Sequence, residues 1–286
     1  MFGRLRPSSQ PQSEPKIVPL SAGDFARLAP RDWNYPYGDV VSSISASPEL
    51  SFRVERGGEY IVGGRWRRRR EIGSVEYLRA RGNRRPLLLH LEEQLRSERA
   101  RLLVVGTSEQ TNDLGFYLGE GFELIDEIVR YQRQGTRVDG REPIFPIRPL
   151  TPQDRPGLVA VDHASFPWLW WNSEEEFSWY LDLPGVEAHV ALDETRVIGY
   201  TGFTITGQQG HLDRLAVHPD YQGRGVGADL VRYTLACMAR HRVDRVALTT
   251  QVDNFRSANL YRALGFVRTT IHYPLYGRWL NHSPDG

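Results

Sequence analysis

VHPDYQGRGVGADL, residues 217–230, joins a predicted strand to a predicted helix and places three glycines at the junction. Residues 211–217 have the composition of a β-strand, and the apolar side chains after the junction recur at helical spacing. Glycine tolerates positive φ and lets a ligand approach the backbone, and the first turn of a helix carries unpaired N–H groups at the positive end of its dipole. The stretch therefore predicts a loop that binds phosphate or pyrophosphate.

Neighbouring residues narrow the choice of nucleotide. No Lys-Ser/Thr pair follows the glycines, and no glycine stands where a dinucleotide fingerprint requires its third. Gln222-x-x-Gly225-x-Gly227 resembles the pyrophosphate loop of the GNAT superfamily of acetyl-CoA-dependent N-acetyltransferases. Residues 253–266, DNFRSANLYRALGF, resemble the second signature of that superfamily. The two signatures also have its order and spacing.

Two sequence patterns occur twice, in the same order. IVPLSAGD at 17–24 resembles IRPLTPQD at 147–154, and FYLGEGF at 116–122 resembles LYRALGF at 260–266. We infer two tandem copies of one fold. The resemblance implies an α+β (mixed α/β) fold in which each copy is a twisted mixed β-sheet with a splayed central strand pair, flanked by helices. The predicted segments are a disordered tail 1–15, a degenerate first domain 16–134, a linker 135–143, a catalytic domain 144–280 and a tail 281–286.

The first copy has lost most of the glycine loop. Residues 79–86, RARGNRRP, contain a single glycine, and arginine side chains fill the space that a pyrophosphate needs. Pro86 also lacks an N–H donor. We expect this copy to bind no CoA and to serve either as a scaffold or as a domain that shapes the acceptor site of its neighbour.

The resemblance implies acetyl-CoA as the co-substrate of the second copy, and no metal. The pyrophosphate is expected on the glycine loop. The pantetheine arm is expected in the wedge between the splayed strands, paired with main-chain groups near Leu215 and Val217. The residues implied in CoA binding are Leu215, Ala216, Val217, Gln222, Gly223, Arg224, Gly225, Val226, Gly227, Ala228, Asn254 and Ser257.

Acetyl transfer to an amine requires a proton acceptor for the amine and a proton donor for the leaving thiolate. Tyr261 matches the usual acid of the superfamily; core packing is its alternative role. His211 and Asp213 share one strand face and are the candidate bases, with a chain of water molecules as the alternative. His211 stands where several relatives carry a catalytic Glu. Peptide-N-terminal relatives often carry a Glu in the next strand, where this chain has Thr249 and Thr250.

Four of the seven tryptophans lie between residues 168 and 179. In the superfamily the surrounding helix pair covers the acceptor site, so part of this aromatic surface is expected to line a substrate cleft. Core packing is the alternative. The candidate acceptor-binding residues are Trp168, Trp170 and Trp171.

The basic run RWRRRR at 65–70 is typical of a solvated hairpin tip, and contact with RNA phosphates is the less favoured interpretation. A net charge of +1 attracts neither nucleic acid nor membrane. The single cysteine, Cys237, permits no intramolecular disulfide. The first 15 residues lack the apolar core of a signal peptide, and no apolar run has membrane-spanning length. We expect a cytoplasmic protein, monomer or homodimer.

The predicted function is an acetyl-CoA-dependent N-acetyltransferase that acetylates a primary amine by direct attack in a ternary complex. The acceptor is a protein N-terminus, a lysine or a small amine. The alternative is a non-catalytic acyl-CoA sensor or scaffold that has kept the loop without the chemistry.

Overall fold

The computed structural model describes residues 15–28 and 37–280, so the predicted tails, apart from Pro15, lie outside the described residues. The fold is mixed α/β, as the sequence predicts. No helix in this described part combines the length and apolar character that crossing a membrane requires. Two compact units divide the described residues: unit 1 takes those up to Gly64, Glu71–Gly121 and 279–280, and unit 2 takes Arg65–Arg70 and Phe122–Arg278.

Unit 1 contains, in chain order, β1 (Ile17–Pro19), α1 (Ala22–Leu28), α2 (Tyr37–Ala46), β2 (Ser51–Val54), β3 (Tyr60–Arg65), β4 (Ile72–Arg79), α3 (Arg84–Ser97), β5 (Leu102–Val105) and α4 (Thr107–Gly119). Its strands lie side by side in numerical order. β1, β2 and β3 pair antiparallel, and β4 and β5 pair parallel.

Unit 2 contains β6 (Glu123–Gln134), β7 (Ile147–Pro149), α5 (Arg155–Ser165), α6 (Glu174–Leu181), β8 (Val186–Asp193), β9 (Arg196–Thr206), β10 (Gln209–Val217), α7 (Val226–Arg240), β11 (Arg245–Gln251), α8 (Phe255–Ala263) and β12 (Val267–Trp279). The strand order is β12-β6-β11-β10-β9-β8-β7. β10 and β11 are parallel, and the other neighbours are antiparallel.

β6 lies inside the sheet of unit 2, although the boundary predicted at residue 134 assigns it to the first domain. It pairs with β11 on one side and β12 on the other. Val129 and Tyr131 of β6 are buried in the same core cluster as Leu248 of β11. The polar, glycine-containing linker after β6 marks a change in chain composition, and composition carries no information about strand pairing.

The repeated sequence patterns correspond to repeated structure. Both copies of the first pattern are a three-residue strand followed by a hydroxyl residue and, three positions later, an aspartate. Oδ2 of Asp24 accepts a hydrogen bond from Oγ of Ser21 at 2.7 Å, and Oδ2 of Asp154 accepts one from Oγ1 of Thr151 at 2.8 Å. The second copy adds Arg148, which donates to both carboxylate oxygens of Asp154 at 2.7 and 2.8 Å. These bonds hold the pKa of Asp154 well below its usual range.

β10 and β11 diverge, as predicted for the central strand pair. They are paired from Gln209 with Arg245 as far as Leu212 with Leu248. Beyond this point β10 remains paired with β9, and β11 with β6. A β-bulge between Leu212 and Arg214 lies where the two strands separate. The result is an open wedge bounded by main-chain groups of both strands.

α7 begins at the glycines of the predicted loop. Gly225 caps it with φ 88°, in the left-handed region that a side chain would strain. The predicted apolar stripe of the helix lies in the core, since Val226, Leu230 and Cys237 are all buried and Tyr233 packs against them or their neighbours. This burial fixes the start of α7 beside the wedge.

Candidate functional site

The wedge opens into a cavity of about 450 Å³ at the start of α7. Ten of the twelve residues predicted to bind CoA line it, from Leu215 on β10 to Ser257 on α8. Of the other two, Val226 is buried in the core, and Arg224 stacks on Tyr221, its guanidinium carbon 5.1 Å from the ring centroid. The lining residues that the sequence did not reveal are Ser165, Phe166, Tyr221, Arg256 and Leu260.

The glycine loop, defined here by Gly223, Gly225 and Gly227, fits an anion. A Cβ added to Gly223 would meet no heavy atom within 4 Å, and φ there is 76°. One added to Gly225 would lie 2.9 Å from Cδ1 of Ile144. Gly227 lies in the first turn of α7, where N–H groups have no intrahelical acceptor and the helix dipole favours negative charge. These residues can therefore hold a pyrophosphate through their main chain.

Polar side chains hold the loop in place. Nε2 of Gln222 donates to the carbonyl of Val217 at 2.8 Å, and Oε1 of Gln222 accepts from Arg256. Oδ1 of Asn254 caps α8 by accepting the N–H of Ser257 at 3.1 Å. Arg256 adds a positive charge to the cavity. The sequence could have indicated Arg256, because it lies inside the second signature, two residues after Asn254.

A second cavity, of about 80 Å³, adjoins the first. Both are lined by Phe166, Leu215, Asn254 and Ser257. The smaller cavity brings together Tyr261, Asp213, Thr249 and Thr250, which the sequence singled out for the chemistry. Its remaining lining residues are Arg67, Ile128, Trp170, Leu212, Arg214 and Gln251.

Tyr261 is a buried residue of α8, 5% exposed. Its ring packs against Tyr131 and Phe266, with centroids 6.2 and 5.9 Å away. Burial raises the pKa of Tyr261, so the phenol stays protonated at neutral pH. A protonated phenol in the wall of the smaller cavity has the properties of a proton donor.

Asp213 connects His211 to the smaller cavity. Nδ1 of His211 lies 2.7 Å from Oδ1 of Asp213. Oδ2 of Asp213 accepts hydrogen bonds from Tyr180 at 2.7 Å and Thr204 at 2.6 Å. His211 lines neither cavity, and its side chain is 40% exposed. Asp213 therefore lines the smaller cavity, whereas the three side chains bonded to its carboxylate do not.

Arg214 is a wall residue that the sequence did not reveal. Its Nε donates to Oδ1 of Asp162 at 2.6 Å and to the hydroxyl of Tyr200 at 2.9 Å. Its Nη2 donates to the carbonyl of Trp170 at 2.6 Å, and its guanidinium carbon lies 3.9 Å from the ring centroid of Phe166. Because Asp162 is fully buried, this charged pair is shielded from water. It ties β10 to α5 and to the turn at Trp168–Trp170.

Of the three tryptophans predicted to bind the acceptor, Trp170 alone lines either cavity. Trp168 lies under Arg69, whose guanidinium carbon is 4.7 Å from its ring centroid. Trp171 stacks on His163, with ring centroids 4.5 Å apart. Packing, the alternative role, therefore describes Trp168 and Trp171.

The basic run at 65–70 is not a solvated hairpin tip, contrary to the prediction. Three of its five guanidinium groups lie over tryptophan rings, and such cation–π contacts hold the run against α6 and the turn before it. Arg69 is 6% exposed. The contacts, 4.7 to 5.0 Å from carbon to ring centroid, are Arg67 on Trp170, Arg68 on Trp179 and Arg69 on Trp168.

In unit 1 a carboxylate of the chain occupies the loop before α3. Oε1 of Glu59 accepts from the main-chain N–H of Arg81 at 2.7 Å and of Gly82 at 3.0 Å, and Oε2 accepts from Asn83. Burial alone would raise the pKa of Glu59, but these hydrogen bonds outweigh it and hold the pKa below its usual value. The amides that correspond to the glycine loop are thus already satisfied by an anion.

Comparison with known proteins supports acetyl transfer. The acetyltransferase (GNAT) family model matches residues 156–266. N-alpha-acetyltransferase 30 of Saccharomyces cerevisiae is 37% identical over 68 residues, which are 24% of this chain and 39% of that protein. The chain thus spans about two fifths of the length of that relative.

Solved structures extend the likeness to both units. A tandem GNAT protein from the clavulanic acid biosynthesis pathway matches 94% of this chain and 100% of its own, with TM-score 0.59 and 18% identity. A GCN5-related N-acetyltransferase from Sphaerobacter thermophilus matches 93% of this chain and 96% of its own, with TM-score 0.57 and 17% identity. At these identities the likeness shows the fold alone. Residues 156–266 thus match the model of the GNAT acetyltransferase family, and the chain has the fold of a tandem GNAT protein.

Proposed function

We propose that this protein is an acetyl-CoA-dependent N-acetyltransferase that acetylates a primary amine by direct attack in a ternary complex. The observation that carries the proposal is the pair of adjoining cavities. One is lined by the glycine loop, the other by Tyr261 and Asp213, and Leu215 belongs to both. Such an arrangement suits a co-substrate and an acceptor that meet where the cavities join.

Acetyl-CoA supplies an activated acetyl group and a thiol leaving group. The glycine loop would hold its pyrophosphate through main-chain N–H groups, with Arg256 as the nearby cation. The carbonyl of Val217 already accepts from Ser165 at 3.0 Å and from Gln222 at 2.8 Å. Pairing with the pantetheine arm therefore falls to the main chain near Leu215.

The proton transfers are assigned to three side chains. The pair of Asp213 and His211 accepts the proton that the amine loses, and Tyr180 and Thr204 hold the Asp213 carboxylate in place. Tyr261, kept protonated by burial, supplies a proton from its Oη to the leaving group. No carboxylate of β11 lines the smaller cavity, where Thr249 and Thr250 stand, so the base comes from β10.

A panel of amines tests the proposal. It contains peptides with free N-termini, a lysine peptide with a blocked N-terminus, and small amines. The name of the yeast relative, an N-alpha-acetyltransferase, favours α-amino groups. Amine-dependent release of the CoA thiol is expected with at least one class. If acetyl-CoA binds and no amine releases the thiol, the sensor or scaffold alternative replaces the enzyme.

A further inference from the structure

A cation without a counter-ion lies in the wall of the smaller cavity. We propose that Arg67 binds a carboxylate of the acceptor, so that the substrate is a primary amine with a carboxylate close to its amino group. The inference rests on the proposed acetyl transfer and extends it to a substrate class. The evidence for it is the position of Arg67 in the cavity wall, the hydrogen-bond partners of its guanidinium group and the negative charge in the same cavity.

The backbone holds Arg67 firmly in place. Its φ of 52° and ψ of 37° lie in the left-handed region, a strained conformation for a residue with a Cβ. The carbonyl of Arg67 accepts a hydrogen bond at 3.1 Å from the hydroxyl of Ser173, the N-cap of α6. The guanidinium carbon lies 5.0 Å from the ring centroid of Trp170, whose indole N–H donates to Asp126. The segment thus presents one fixed arginine to the cavity.

Arg67 differs from Arg68 and Arg214 in its partners. Arg68 pairs with Glu176 at 3.4 Å, and Arg214 pairs with Asp162 at 2.6 Å. The Nη1 of Arg67 instead donates to the neutral amide oxygen of Asn172 at 2.5 Å.

The rest of the guanidinium lacks an acceptor. Nε of Arg67 is buried without one, and among the described residues no carboxylate oxygen lies within 4.0 Å of its nitrogens. Burial, and then the charge of Arg214, lower the pKa of Arg67 to about 9, which leaves it charged at neutral pH. A buried, charged donor without an acceptor is destabilising, and a ligand anion would relieve that penalty.

The opposite charge in the same cavity comes from Asp213. An amine near Asp213 and a carboxylate near Arg67 would place opposite charges side by side at both residues. Guanidinium and carboxylate pair through two parallel hydrogen bonds, a geometry that a lysine cannot reproduce. A cavity of about 80 Å³ places the two groups of the acceptor close together. The chemistry fits an α-amino acid, or a peptide whose first residue is acidic.

Two matched acceptor pairs test the carboxylate and identify its source. Comparing alanine with alaninamide as the acceptor shows the effect of a free α-carboxylate. Comparing a peptide that begins with Asp with the same peptide beginning with Asn shows the effect of a carboxylate on the first side chain. The value of kcat/KM is measured for wild type, Arg67→Gln and Arg70→Gln. Arg70 is an exposed arginine of the same segment and lines neither cavity, so it is the matched control.

Wild type and Arg70→Gln are expected to prefer the acidic member of at least one pair by roughly tenfold or more. Arg67→Gln should lose that preference, because its kcat/KM should fall for the acidic member and stay near the wild-type value for the neutral member. Equal rates on both members of both pairs in wild type would overturn the inference. So would an equal fall on both members in Arg67→Gln, with its thermal unfolding unchanged.

Binding separates failure of this inference from failure of the proposed reaction. N-acetylalanine and N-acetylalaninamide, and the acetylated forms of the two peptides, are titrated calorimetrically into CoA-saturated protein. If no amine is acetylated, the proposed function fails, and tighter binding of an acid that depends on Arg67 still supports the carboxylate site. Equal binding of acid and neutral members in every pair overturns it.

Discussion

Nδ1 of His211 and Oδ1 of Asp213 lie 2.7 Å apart on one face of β10, and unit 2 contains a second pair of this kind. Nδ1 of His272 lies 2.7 Å from Oε1 of Glu127, and neither residue lines the two cavities. Both histidines are substantially exposed, with side-chain exposures of 40% and 59%. The second pair therefore controls for the general effect of removing an imidazole beside a carboxylate.

His211→Gln keeps a hydrogen-bonding side chain next to Asp213 and removes the imidazole that exchanges protons. If the pair is the base, kcat/KM should fall by roughly 10- to 100-fold, while His272→Gln stays near wild type. Steady-state rates on the best amine measure both. A His211→Gln enzyme as fast as His272→Gln would assign the proton to water or to Asp213 alone.

Tyr261→Phe removes the proposed donor and keeps the ring that packs on Tyr131 and Phe266. Turnover is expected to fall by roughly 10- to 10,000-fold, with the free energy of unfolding little changed and CoA affinity retained. Rates, calorimetry and thermal unfolding test the three parts. Wild-type turnover in the variant would leave Tyr261 a packing residue.

Local sequence predicted what depends on local conformation. The glycine spacing and the start of α7 follow from a short stretch of chain, and the divergence of β10 from β11 is what the family resemblance implies. The cavity that results contains ten of the twelve residues assigned to CoA. The two exceptions, Arg224 and Val226, alternate with the glycines, and their side chains point to Tyr221 and to the core.

Contacts across long sequence separations were not predictable in this way. Arg67 reaches Asn172 across 105 positions, and Arg214 reaches Asp162 across 52. Neither pairing produces a periodic pattern in the sequence, and a basic run next to glutamates has the composition of a solvated surface. Glu59, 22 positions before Arg81, is likewise invisible until the chain folds.

Asp154 should make stability depend on pH more strongly than Asp24 does. Its folded-state pKa is depressed, so its contribution is present above the unfolded pKa of about 3.9 and is lost as pH falls toward the folded value. Asp154→Asn is expected to lower the free energy of unfolding by about 1–3 kcal/mol at pH 7, and by progressively less as the pH falls below about 3.9 toward the folded-state pKa.

Asp24→Asn changes the equivalent residue of the first copy, whose carboxylate is hydrogen-bonded by Ser21 and lacks the bidentate arginine partner. Its effect should be smaller. Urea unfolding of both variants at about pH 7 and about pH 2 makes the comparison. A loss for Asp154→Asn that is the same at both pH values would contradict the assignment to Arg148.

Gly223→Asp should abolish CoA binding, because it places a negative side chain where the pyrophosphate is expected. Gly207→Asp is its matched control: both glycines have positive φ, 76° and 59°, and a Cβ at either meets no heavy atom within 4 Å. The backbone strain is therefore similar, about 1–3 kcal/mol in each. Calorimetry should show at least a roughly tenfold loss of affinity for Gly223→Asp alone. Equal affinities in the two variants would move the pyrophosphate elsewhere.

The number of CoA molecules bound per chain follows from the contrast between the two loops. In the glycine loop of unit 2 a Cβ added to Gly223 would meet no heavy atom within 4 Å, whereas Glu59 already accepts from the amides of Arg81 and Gly82 in unit 1. A pyrophosphate there would have to displace a carboxylate and then face it as a like charge. The two cations at the start of α3 offer no compensation, because Arg84 is paired with Asp113 and Arg85 with Glu120.

Titration of wild type with CoA should therefore saturate at one equivalent of CoA per chain. Gly223→Asp should bind no CoA with the affinity of wild type. Glu59→Gln removes the competing charge and keeps one oxygen acceptor for the same amides. This variant should still bind a single equivalent of CoA, because the first loop keeps Pro86, which has no N–H donor. Saturation at two equivalents in wild type would show that the first loop opens for CoA. A second equivalent in Glu59→Gln alone would identify that one carboxylate as the barrier.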